Sequence, residues 1–219
     1  MVTAMRIRLG AALLIAALVA LLVASSATPA PGDPRRVHNA ADQKLATSLV
    51  LSKTDLPAGT WAVSRVDTSG PNPPCVLQNY RLDAFTETGE MGWNYANSSA
   101  GIHVESDASI YLNVAQARQI FAQASKLGFI RCFVSSIRGV TIKKLERIKS
   151  GATGVASNAY DVSLSVRVSN RTVPVDIVSV QLQRGRAISG LSVAQYGQAL
   201  SARLVASLVA HAAQRLRTH

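Results

Sequence analysis

Between residues 102 and 112 the chain alternates apolar and polar side chains. Ile102, Val104, Ala108, Ile110 and Leu112 fall on one side, interrupted only by Ser106, while His103, Glu105, Asp107, Ser109 and Tyr111 fall on the other. Successive side chains of a strand leave opposite faces, so a period of two specifies an extended strand with one dry and one wet side. Such a strand needs neighbours, and the second half of the chain supplies them. Tyr160, Val162, Leu164, Val166 and Val168 alternate with polar residues. Asn170-Arg171-Thr172 turns the chain into a partner strand over residues 173–183. Arg184-Gly185-Arg186 then turns it into a third strand over 187–194. The result is a meander.

Helical signals flank these strands. Asn39 is placed to cap a helix running to about residue 52, with Ala41, Leu45, Ala46 and Leu49 on one face. Asp55-Leu56-Pro57-Ala58-Gly59 stops it, residues 61–63 are extended, and a short helical piece is expected over 76–82. Asn113 caps a second helix carrying Ala117, Ile120, Phe121, Ala124 and Leu127, with Gly128 as its terminator. A closing amphipathic helix begins near residue 198 and turns Leu200, Leu204, Leu208 and Ala212 inward. Residues 150–154 read as a hairpin loop. The expected fold is α+β: one mostly antiparallel sheet with helices packed on one face.

The amino terminus carries a different signal. Arg6 and Arg8 precede an uncharged apolar run over residues 9–24, and Ser25-Ser26-Ala27 follows. A basic start, an apolar middle and a small-residue exit are the pattern of an export leader. The run is about 24 Å long as a helix, and about 28 Å if extended to Ala27. Cleavage after Ala27 and retention as a membrane anchor therefore both remain open. The chain divides into a leader or anchor over 1–27, a linker over 28–38 and a single domain over 39–219. In an exported chain the two cysteines, Cys75 and Cys132, read as one disulfide. It closes a loop worth about 4 kcal/mol on the chain-entropy model.

Charge is divided unevenly. Residues 28–107 hold six basic and nine acidic side chains, and residues 108–219 hold fifteen basic and three acidic. The basic cluster includes Lys143, Lys144, Arg147 and Lys149, which are candidates for binding an anionic envelope component or contacting a membrane surface. Nucleic acid is not expected: the basic residues lack interleaved aromatics and export removes the partner. No cofactor, metal or nucleotide motif is present, and no catalytic set is assembled. The nearest approach to one is His103, Glu105 and Asp107 on the wet side of one strand. That trio supports an alternative reading as an envelope hydrolase. The leading expectation is a non-enzymatic binding or sensor-like domain for an unknown small molecule or an anionic envelope component.

The order of elements resembles a known class. An opening helix ends in Leu-Pro-x-Gly-x-Trp, from Leu56 to Trp61. A cysteine loop follows, then a strand leading into a helix near the second cysteine, a meander with its Arg-Gly-Arg turn, and a last amphipathic helix. This resembles the small exported domains of actinobacteria related to the extracellular sensor domains of mycobacterial Ser/Thr kinases and to secreted lipoproteins. The resemblance implies ligand binding in a cleft of the sheet and brings no catalytic residues. The chain departs from it in having a single cysteine pair, no kinase domain and no lipid-acceptor cysteine.

Overall fold

The computed structural model describes residues 32–66, 72–168 and 171–219. The expected leader lies outside them, as do residues 69–71 of the proline-rich loop and Asn170 of the first meander turn. Among the described residues no helix is long and apolar enough to cross a membrane.

Eight strands of the described residues form one sheet: β1 (Arg35–Arg36), β2 (Ala62–Arg65), β3 (Thr86–Asn97), β4 (Ile102–Tyr111), β5 (Val140–Ile148), β6 (Ala156–Val168), β7 (Arg171–Arg184) and β8 (Ala187–Tyr196). Their order is β1-β3-β4-β8-β7-β6-β5, and β2 also pairs with β3. All pairings are antiparallel except β1 with β3. The strand predicted from alternation is β4, and the meander is β6, β7 and β8. Gly185, with φ of 56°, makes the second meander turn.

Among the described residues, five α-helices accompany the sheet: α1 (Ala40–Leu49), α2 (Pro74–Asn79), α3 (Val114–Ala124), α4 (Leu127–Ser135) and α5 (Ala202–Arg217). Asn39, Asn113 and Ser201 cap α1, α3 and α5 by accepting backbone N–H bonds. The helices cover both faces of the sheet, which corrects the one-face expectation. Helices α1 and α5 bury Ala46, Leu49, Leu208, Ala212 and Leu216 against Val104, Ala108, Ile110, Val180, Leu191 and Val193. The opposite face holds two smaller clusters. One joins Val76, Leu82 and Phe85 to Tyr111, Ala117 and Ile120. The other sets Ile130 and Val134 of α4 over Tyr160, Val162 and Leu164. Tyr111, placed by alternation on the wet side, is thereby buried. The disulfide is formed: Cys75 of α2 and Cys132 of α4 are joined, with Cα atoms 6.0 Å apart.

Ser106 breaks the apolar row of β4 for a reason. Its Oγ accepts the Leu51 N–H at 3.0 Å, and the Tyr95 hydroxyl donates to the Leu51 carbonyl. Both backbone groups just past the end of α1 are satisfied in the core, where an unpaired one would cost about 1–3 kcal/mol.

Three elements differ from the sequence expectation. Strand β3 was hidden by Gly89, Gly92 and an irregularity in its pairing between Glu87 and Gly89. Strand β5, read only as a run of charge, has a similar shift between Ile142 and Lys144 that breaks its period. Gly128 ends no helix. Helix α3 stops earlier, where the Ser125 carbonyl accepts from Arg147 and the Tyr160 hydroxyl, and Gly128 lies in the first turn of α4. Within the expected linker, Arg35–Arg36 pairs with β3, so the order of the domain begins before residue 39.

Candidate functional site

Between the two smaller clusters, the middle of the sheet face shared with α3 and α4 is partly open, its residues half-buried rather than buried. Along β4, Val104, Ser106, Ala108 and Ile110 are buried on the α1/α5 face, whereas His103, Glu105, Asp107 and Ser109 on the other face are only half-buried. The wet side inferred from sequence is therefore real. Pairing adds residues from both neighbouring strands. Asn94 stands opposite Glu105, Gly92 opposite Asp107, and Glu90 opposite Ser109. On the other side Ser192 faces Glu105 and Gly190 faces Asp107, with Ser179 and Gln181 of β7 next in those two rows.

Two local features build this acidic face. Glu87 and Glu90 are three residues apart on one strand and would face opposite sides of a regular sheet. The shift between Glu87 and Gly89 puts both on the open face, opposite Tyr111 and Ser109. Gly190 is the second feature: a Cβ there would stand 2.2 Å from Oδ1 of Asp107. Only glycine leaves room for that carboxylate to lie across β8.

The electrostatics follow from this crowding. Burial, then the like charges of Glu105, Glu90 and Glu87, push the Asp107 carboxyl up to about 7, against a hydrogen bond from the Gly190 backbone. Burial also raises Glu105 and lowers His103. At the β1 end the acids do have cations. Arg36 lies 3.6 Å from Glu87 and 3.4 Å from Glu90, and His38 lies 3.8 Å from Glu87. The bond to Glu87 raises the His38 pKa. Ligand atoms of His38, Glu87 and Glu90 fall within 4.8 Å of one another, but Arg36 already supplies positive charge to both glutamates. Among the described residues, Glu105 and Asp107 take part in no ion pair.

The basic residues singled out from sequence do not share one surface. Lys144 pairs with Glu146 at 2.6 Å and Asp161 at 2.9 Å. Arg147 leaves the other side of β5, where its guanidinium lies 5.7 Å from the centre of the Tyr160 ring and borders an open groove of about 580 Å³ with Lys126. Lys143 and Lys149 are exposed.

Sequence reasoning found His103, Glu105 and Asp107 but missed Glu87, Glu90 and Asn94, because β3 was not recognised. The one signal pointing to Asp107's setting was Gly190, isolated in an otherwise clear strand, since such a glycine marks a close approach.

No family model matches this chain, and no curated protein matches it. Among solved structures it is similar to the extracellular domain of PknH from Mycobacterium tuberculosis, at 9% identity and a TM-score of 0.46, over 84% of this chain and 100% of that one. It is also similar to PA94 from Pseudomonas aeruginosa, a protein of unknown function, at 11% identity and a TM-score of 0.24, over 64% of this chain and 70% of that one. Neither likeness is close enough to bear on what this chain binds.

Proposed function

We propose that this chain is an exported, non-enzymatic binding domain of the cell envelope, sensor-like in role, which takes a small molecule on the open face of its sheet. The observation that carries this reading is the polar, half-buried floor left between the two smaller clusters, where the small side chains of Ser179 and Ser192 stand in the Glu105 row. Export is supported by the leader pattern and by the disulfide, a bond that persists in oxidising compartments. A second reading, an envelope hydrolase, draws on Asp107: a carboxyl titrating near neutrality is suited to general acid–base work. Against it, no hydrogen bond among the described residues joins His103 to a serine or threonine hydroxyl.

The test is an NMR titration of the secreted, oxidised protein with the small-molecule fraction of an envelope extract. Amide shifts concentrated at residues 103–109 and 188–194, with the bound compound recovered unchanged, are the expected result. Shifts confined to other surfaces overturn the proposal. Recovery of a chemically altered compound, with the change abolished by His103→Ala, favours the hydrolase instead.

A further inference from the structure

Two amide side chains in the middle of the open face each leave a buried acceptor unpartnered. Asn94 is 9% exposed, stands directly across from Glu105, and its Oδ1 is buried without a hydrogen-bond partner. Gln181, in the Asp107 row beyond Gly190, has its Oε1 in the same condition. Both are acceptors, and buried acceptors are nearly always satisfied. The serine hydroxyls nearby are committed elsewhere. Ser192 donates to Ser179 at 3.3 Å, and Ser109 bonds to Tyr111. Beside these acceptors lie the carboxylates of Glu105 and Asp107, which lack an ion-pair partner among the described residues. At one place the floor leaves two buried acceptors unmatched and two carboxyl groups without a described cation.

Spacing separates two kinds of cation. Glu105 and Asp107 are two residues apart on β4, roughly 7 Å along the strand. A single metal ion draws its oxygen ligands to about 2.0–2.6 Å. The described acid and histidine groups that converge closely enough for one ion are His38, Glu87 and Glu90, at the end served by Arg36. The Glu105–Asp107 stretch suits a longer occupant with several N–H donors.

We propose that the open face takes an extended organic cation with more than one ammonium or guanidinium group, laid along β4 over Glu105 and Asp107, with Asn94 and Gln181 accepting from it. This rests on the reading of that face as the ligand site and names the ligand's chemical class. The groups facing Asp107 include Glu105, Glu90 and Glu87, with His103 farther along β4 and Arg36 and His38 at the β1 end. A cation that binds the ionised form therefore displaces a proton near neutral pH and binds less well in acid.

The experiment is calorimetric titration of the oxidised protein with spermidine, a triamine, and separately with calcium chloride, at pH 8 and pH 5. Spermidine is expected to bind more tightly at pH 8 than at pH 5, and a further titration at pH 7 is expected to release protons on binding. Affinity should fall at least tenfold in Glu105→Gln and in Asp107→Asn, and by less in Asn94→Ala. Lys143→Ser should bind as the parent does. Each variant's thermal melt establishes that it is folded, and if Asp107→Asn fails this check, Glu105→Gln carries the test. Absence of spermidine binding, equal binding in the carboxylate variants, or tighter binding of calcium with loss in the same variants overturns the proposal. If the envelope extract shifts residues 103–109 while spermidine does not, the ligand class fails and the site reading stands. If the extract acts elsewhere, the site reading fails with it.

Discussion

Two aspartates show how the same side chain is turned to opposite ends by its setting. Asp42, in the first turn of α1, accepts from Arg186 at 2.7 and 3.1 Å and from Asn39, and its pKa is held down to about 2, chiefly by the Arg186 bond. A carboxyl lowered on folding adds stability above its unfolded pKa, and that stability is lost as pH falls through the folded value. Asp42→Asn should therefore cost about 2 kcal/mol at neutral pH and almost nothing near pH 2, read from urea unfolding at several pH values. Asp107 has the reverse sign. Its folded pKa of about 7 lies above the unfolded value, so the folded state loses stability as pH rises from about 4 to 7. Asp107→Asn should leave stability unchanged at pH 3.5 and raise it progressively up to pH 8. A uniform gain at every pH would mean that the residue is strained by packing rather than by charge. On the proposed reading, Asp107 destabilises its own domain until a cation occupies the face, the stability–function conflict seen at many sites.

Among the elements, those with clean periodicity were legible and those with an irregular residue were not. Strand β4 and the meander keep alternation with few breaks, and α1 and α3 begin at asparagines whose side chains do cap them. In β3 and β5 one displaced residue puts apolar side chains out of phase, so period-two reading fails although the strands are long. The site suffered most, since half of its acids sit on β3. Nor could the sequence show that helices lie on both faces, because an amphipathic helix does not state which side of a sheet it will cover. The disulfide has a consequence at this scale. It ties α2 to α4, beside the edge-to-face contact of Tyr80 and Phe129 with centroids 5.0 Å apart. Reduction should cost up to about 4 kcal/mol. In hydrogen exchange, amides of α2 and α4 should lose protection first, while those of α1 and α5 keep theirs. Equal loss in all four helices would show that the two faces unfold as one unit.

At the scale of the whole molecule, the strand order separates the strands of the two halves of the chain. Strands β1–β4 occupy one end of the sheet and β5–β8 the other, meeting only where β4 pairs with β8. The strand order sets the acidic excess of residues 28–107 toward one end of the sheet and the basic excess of 108–219 toward the other, although Arg186 pairs with Asp42 and Arg215 with Asp55 across the two halves. We propose that the basic end contacts anionic envelope material, leaving the acidic face free. Lys144 and Arg147 are engaged within the fold, so exposed Lys143 and Lys149 are the residues of that cluster able to meet a surface. Each basic group near an anionic membrane contributes about 1 kcal/mol, screened over about 8–10 Å in physiological salt. Sedimentation with phosphatidylglycerol vesicles should show binding that phosphatidylcholine vesicles lack and that 0.5 M salt removes, a salt level at which, by the Debye relation, screening shortens to about 4 Å. Replacing Lys143 and Lys149 together by Ser should weaken that binding several-fold without lowering the melting temperature, whereas Glu105→Gln should leave it unchanged. Equal binding to both vesicle types, or indifference to salt, would mean that the charge division serves solubility and that the domain does not orient itself by charge.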